Sequence, residues 1–160
     1  MSDTFFKTFV QDNMGVIRHI CGVYARNEEE LKDFIQEVTI QLWRSHVKFE
    51  MKSKVSTWVY RVTLNVCLSM SRKNKKAFES VSLDNVQLAQ DNDTEEKEQI
   101  ELLYKAVRML KDADRAIILL YLENKSYKEI AEILGMTVTN VGVKVNRLKN
   151  QLKKMIDGRG

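Results

Sequence analysis

The residues best able to do chemistry with a partner fall in two separate stretches. In the first, Ser126 stands three residues before Glu129, so each side chain can accept a hydrogen bond from an otherwise unpaired backbone N–H at a helix start. Ile130, Ala131 and Leu134 form the apolar face of the short helix this predicts. Gly135 suits the left-handed turn that ends it, and Thr137 can cap the next helix. A short capped helix, a glycine turn and a longer helix are the spacing of a helix-turn-helix. On the longer helix Val138, Val141, Val145, Leu148 and Leu152 are expected in the core. That turns Thr139, Asn140, Val143, Lys144 and Arg147 outward. The polar groups can reach base edges in a major groove while Lys144, Arg147 and Lys149 neutralise phosphates. The competing interpretation, a helical hairpin with a merely wet face, is disfavoured by the turn chemistry.

The second stretch runs from Phe49 to Lys76, where Phe49, Trp58 and Tyr60 sit among basic residues. Unstacked bases can lie on aromatic faces while Lys and Arg follow the backbone, at about 1–3 kcal/mol per stacked base. Trp58, at helical spacing with Val62, reads as core. Tyr60, Arg61 and Asn65 are the candidates for exposed work, and the Asn65 amide offers donors and an acceptor to the edge of an unstacked base. Enzymatic chemistry finds no such grouping. His19 and Cys21 fall on different helix faces, and His46 and Cys67 have no ligand-like neighbours in sequence, so no metal, cofactor or small-molecule substrate is expected.

Charge supports the same division. Met51 to Lys76 holds seven basic residues and no acid, and Lys144 to Lys154 holds five more, again without an acid. Between them, Glu79 to Glu101 carries eight carboxylates against Lys97 alone. Two basic segments seek an anion, and the segment between repels what they attract. One expectation is that this acidic stretch folds back and masks them, through Asp91, Asp93, Glu95, Glu96 and Glu98.

The elements that must position these residues are helices. The 160 residues contain no proline, where average usage of about 5% predicts roughly eight, and only six glycines, so a turn-rich all-β fold is disfavoured. Phe5, Phe6, Phe9, Ile17, Ile20, Cys21 and Tyr24 recur mostly at three and four, as do Leu31, Phe34, Ile35, Val38 and Leu42. Asn27 before Glu28, Glu29 and Glu30 marks the start of the second helix. The period fades between Ser45 and Ser56, then Trp58, Val59, Val62, Val66 and Met70 restore it. Residues 77–94 lack sustained apolar periodicity and read as a flexible acidic linker. The helical pattern resumes at Ile100 and continues through Tyr121. The expected fold is all-α, with two small helical domains, 1–76 and 95–160, joined by that linker. Two cysteines and no basic-apolar leader point to a cytoplasmic protein, and the longest apolar run, Ala116–Leu122, is too short to span a bilayer.

Asp33-Phe34-Ile35-Gln36-Glu37, then Leu42-Trp43-Arg44, then Thr57-Trp58-Val59-Tyr60-Arg61 and Asn65 resemble region two of the bacterial extracytoplasmic-function sigma factors. Ser126-Tyr127-Lys128-Glu129-Ile130-Ala131 with Leu134-Gly135-Met136-Thr137 is similar to their region four. The resemblance implies a non-enzymatic subunit that joins core RNA polymerase, directs it to promoters and helps to melt them. It implies that Asp33, Gln36, Glu37 and Arg44 dock on the β′ coiled coil, that the β flap of the polymerase is a further contact, and that an anti-sigma factor is a partner. It places Phe49, Tyr60 and Asn65 around an unstacked base of the minus-ten element, with Arg61, Arg72 and Lys73 on its backbone. Thr137, Thr139, Asn140, Val143, Lys144 and Arg147 would face the minus-thirty-five duplex. Where many members carry a basic and a small polar residue, this chain has Gly142 and Val143, and the glycine suggests a close approach of backbone to DNA. The runner-up, a stand-alone helix-turn-helix regulator, would bind duplex DNA without polymerase.

Overall fold

The computed structural model describes residues 3–46, 54–77 and 94–158, which form seven helices in two units, Met1–Leu88 and Ala89–Gly160. There is no strand among the described residues. In the first unit α1 (Asp3–Tyr24), α2 (Glu28–Ser45) and α3 (Val55–Ala77) each pack on the other two. The predicted cap holds: the Asn27 side chain accepts from the Glu30 N–H, and Glu28, Glu29 and Glu30 sit at the positive end of α2. The Glu30 carboxylate in turn accepts from the Arg26 backbone and guanidinium, which ties the α1–α2 corner.

Phe34, Val38 and Leu42 of α2 meet Ile17, Ile20 and Cys21 of α1 in a fully buried core. Two expectations for this core change. Phe5 is 58% exposed, because it stands about 100° round α1 from Phe6, which is the buried one of the pair, whereas Val10 and Val23 are buried. On α3 Trp58, Val59 and Val66 of the expected stripe are buried, and Tyr60, Thr63, Leu64 and Cys67 join them, while Val62 and Met70 are only half-buried. The Trp58 indole N–H donates to Ser45 Oγ at 3.1 Å and pins the start of α3 to the end of α2. Cys67 has a neighbour that the sequence did not suggest: its thiol lies 3.7 Å from that of Cys21, both buried between α1 and α3.

The second unit contains α4 (Thr94–Arg108), α5 (Asp112–Leu122), α6 (Tyr127–Leu134) and α7 (Val138–Asp157), and α7 packs on all the others. The apolar pattern from Ile100 to Tyr121 is divided at Met109–Lys111 without a glycine or proline. Arg115 makes the corner by donating to the carbonyls of Arg108 (2.6 Å), the last residue of α4, and of Leu110 (3.2 Å) just beyond it. α4 begins at Thr94, so Glu95, Glu96 and Glu98 of the acidic stretch are exposed residues of its first two turns. Most of the expected linker, with Asp91 and Asp93, lies outside the described residues.

The turn chemistry of α6 and α7 is as the sequence requires. Ser126 and Glu129 form the reciprocal capping box, Gly135 adopts φ 68° and ψ 40°, and the Thr137 hydroxyl accepts from the Asn140 N–H.

Candidate nucleic-acid and polymerase interfaces

On α2 the buried residues Leu31, Phe34, Val38 and Leu42 define one side of the helix, and Asp33, Gln36 and Arg44 are exposed on the other. Glu37 is half-buried, with its Oε1 accepting from the Gln41 amide at 2.9 Å. Ile40 is also exposed, although sequence reasoning passed over it. Its place four residues after Gln36 and four before Arg44 puts it in the middle of this face.

On α3, Arg61, Asn65 and Arg72 fall at i, i+4 and i+11 and share one exposed stripe. Tyr60 does not join them. It is only 5% exposed, because it stands in line with Leu64 and Cys67 at i+4 and i+7 on the core side. Lys73 is exposed about a quarter-turn round from the stripe. There it helps line a groove of about 490 Å³ between α2 and α3, with Glu37, Gln41, Ser45 and Asn65. The groove brings Glu37 of the expected polymerase face beside two residues of the expected minus-ten face. Phe49 lies outside the described residues.

On α7, Thr139, Asn140 and Val143 are exposed, Lys144 is half-buried, and Thr137 spends its hydroxyl on the helix cap. Arg147 is exposed and pairs with Asp114 of α5, Nη2 to Oδ1 3.5 Å. Val138 is 48% exposed rather than core: it is in line with Val141 and Val145, but as the first residue of α7 it stands at the end of the buried stripe. Gly142 sits beside α6. A Cβ there would touch the Tyr127 ring of α6 at 3.4 Å, so the glycine lies at the packing between the two helices. Asn146 and Asn150, which the sequence reading left out, are exposed in line with Thr139 and Val143.

A second, more apolar groove lies within the second unit, lined by Leu103, Ile118, Tyr121, Leu122, Leu152 and Ile156. Lys149 and Lys153 stand at its rim, and the Lys149 ammonium lies 5.3 Å from the Tyr121 ring centroid.

The family model of sigma-70 region 2 matches residues 9–77 and that of sigma-70 region 4 matches residues 100–152. The chain belongs to the sigma-70 family, in its extracytoplasmic-function branch. It is 26% identical to the extracytoplasmic-function sigma factor SigW of Bacillus subtilis, over 88% of this chain and 82% of that protein. It is 27% identical to the sigma factor YlaC of the same organism, over 79% and 77% respectively. Its fold is similar to that of the sigma factor RpoE of Bartonella quintana, solved with the anti-sigma factor NepR, with a TM-score of 0.76 and 22% identity over 95% of this chain and 96% of that one. It is also similar to CnrH, solved with the cytosolic domain of CnrY, with a TM-score of 0.73 and 17% identity over 99% and 92%.

As a sigma factor, the protein joins core RNA polymerase and directs it to promoters. Among the described residues no group of three or more His, Cys, Asp or Glu side chains is placed to hold a metal. No described helix is long and apolar enough to cross a membrane.

Proposed function

We propose that this sigma factor holds core polymerase through the outer face of α2, an opened promoter strand through α3 and an intact upstream duplex through α7. The observation that carries this reading is the division of each helix into a buried side and an exposed side bearing the expected groups. On α3 that side is the Arg61, Asn65 and Arg72 stripe, and on α7 it is the face from Thr139 to Arg147.

Asp33, Gln36, Glu37 and Arg44 dock on the β′ coiled coil, with Ile40 as the apolar centre of the patch. The apolar groove rimmed by Lys149 and Lys153 receives the β flap. Asn65, with Phe49, takes an unstacked base of the minus-ten element and promotes melting, while Arg61, Arg72 and Lys73 carry its backbone. The functional modules are 1–76 and 95–160, tethered by 77–94. The protein works in the cytoplasm, performs no catalysis itself, and is held by an anti-sigma factor, as its structural relatives RpoE and CnrH are seen in complex with NepR and CnrY.

Run-off transcription with core polymerase on the fragment upstream of this protein's own gene tests the reading. A transcript from one defined start, dependent on the added chain, is expected. Tight duplex binding by the chain alone with no transcript would indicate a free-standing regulator instead.

A further inference from the structure

α7 carries two matched stripes. Val141, Val145, Leu148 and Leu152 are buried against the rest of the second unit. Thr139, Val143, Asn146 and Asn150 repeat the same four-three-four spacing on the opposite side, and all four are exposed. No member of the outward stripe is charged. Lys144 and Arg147 flank it on one side, and Lys149 and Lys153 on the other stand at the rim of the apolar groove. A neutral stripe beside a basic margin separates base reading from phosphate holding.

The chemistry within the stripe is selective. A groove-reading helix touches base edges with its N-terminal residues, which brings Thr139, Val143 and Asn146 within reach and leaves Asn150 toward the backbone. Val143, 63% exposed, is the most exposed large apolar residue among the described residues of the second unit. Its methyl groups match the one apolar feature on a major-groove edge, the C5 methyl of thymine. Asn146, one turn further on, presents an amide that can pair bidentately with adenine N6 and N7. The stripe contains no Arg or Lys for guanine and no Asp or Glu for cytosine.

We infer that the outward stripe of α7 reads an A·T-containing step of the upstream duplex, with Val143 packed on a thymine methyl and Asn146 paired with a neighbouring adenine. This rests on the reading of α7 as the helix that enters the major groove.

The test uses holoenzyme assembled from core polymerase and the full chain. Promoters are selected by transcription from a library randomised upstream of the melted segment. In a selected promoter each upstream thymine is then replaced singly by deoxyuridine, which lacks the methyl, and each adenine by 7-deazaadenine, which lacks the N7 acceptor. One thymine replacement is expected to lower open-complex formation about fourfold, the value of one buried methyl. That loss should vanish with Val143→Ser. One adenine replacement should cost about tenfold, a loss that vanishes with Asn146→Ala. Both side chains are exposed, so the variants keep the fold. An upstream element made only of G·C pairs, or discrimination that survives in the variants, would overturn the inference. Defined starts that are indifferent to the whole upstream duplex would overturn the placement of α7 itself, and the stripe with it.

Discussion

Arg147 of α7 reaches across to Asp114 in the first turn of α5, and the pair leaves the guanidinium more than half exposed on the flank of the outward stripe. An ion pair this open to water contributes little to stability. Its effect is to aim a cation.

Asp114→Asn is therefore expected to leave the folding free energy within about 0.5 kcal/mol of the parent. The ratio of promoter to random-duplex affinity should fall, measured with holoenzyme by fluorescence anisotropy. An equal gain for both DNAs would mean that Asp114 acts through net charge alone. Arg147→Ala should flatten the slope of log K against log salt by about 0.9 if the side chain neutralises one phosphate.

Two glycines a few residues apart should respond with opposite signs. Gly135 has φ 68°, so Gly135→Ala forces a Cβ into the left-handed region and should cost about 1–2 kcal/mol. Gly142 lies inside α7, where an added Cβ meets the Tyr127 ring at an ordinary 3.4 Å contact. Gly142→Ala should stabilise by up to about 1 kcal/mol through helix propensity and leave DNA affinity unchanged. Chemical denaturation and anisotropy check both. A loss of DNA affinity in Gly142→Ala would restore the idea of a close backbone approach to DNA at that position.

Tyr60 and Asn65 separate packing from recognition. Tyr60→Ala removes a buried ring from the first unit and should destabilise it by about 3 kcal/mol or more. Asn65→Ala changes an exposed residue, so its unfolding midpoint should match that of the parent. Its transcription should be weak on a fully paired promoter and weak again on a template opened in advance, since the lost contact is with the single strand. Full activity on both templates would remove Asn65 from the site.

Stability should fall in alkali. Burial, followed by the adjoining Cys21 thiol, pushes the Cys67 thiol well above its ordinary value of 9.0. Burial, followed by the charge on Glu123, raises the Tyr104 phenol above 10.0 in the second unit. Both groups hold their proton more tightly folded than unfolded. Their contribution is complete below the unfolded pKa and is lost as pH rises from there through the folded value. The thermal midpoint should be flat from about pH 6 to 8 and then drop as the pH rises past about 9, less steeply in Cys67→Ala. A midpoint unchanged between pH 8 and 10 would contradict this. Dithionitrobenzoate should react with Cys21 and Cys67 only at the rate of unfolding.

Whatever depends on residues three or four apart was legible in the chain itself. The Asn27 cap, the Ser126–Glu129 box, the Gly135 turn and the sides of α2 and α7 follow from local hydrogen bonding and the helical period. The ordered motifs of regions two and four were legible for the same reason, since they lie within single helices and turns. Tertiary packing decided the rest. It buried Tyr60, exposed Val138 and divided the Ile100–Tyr121 pattern where Arg115 caps the carbonyls of α4. It also set Cys21 against Cys67, Glu37 beside Asn65 and Lys73, and Arg147 on Asp114. Periodicity says that a helix has an inner side; which partner arrives there, from tens of residues away, depends on how several such sides fit together at once.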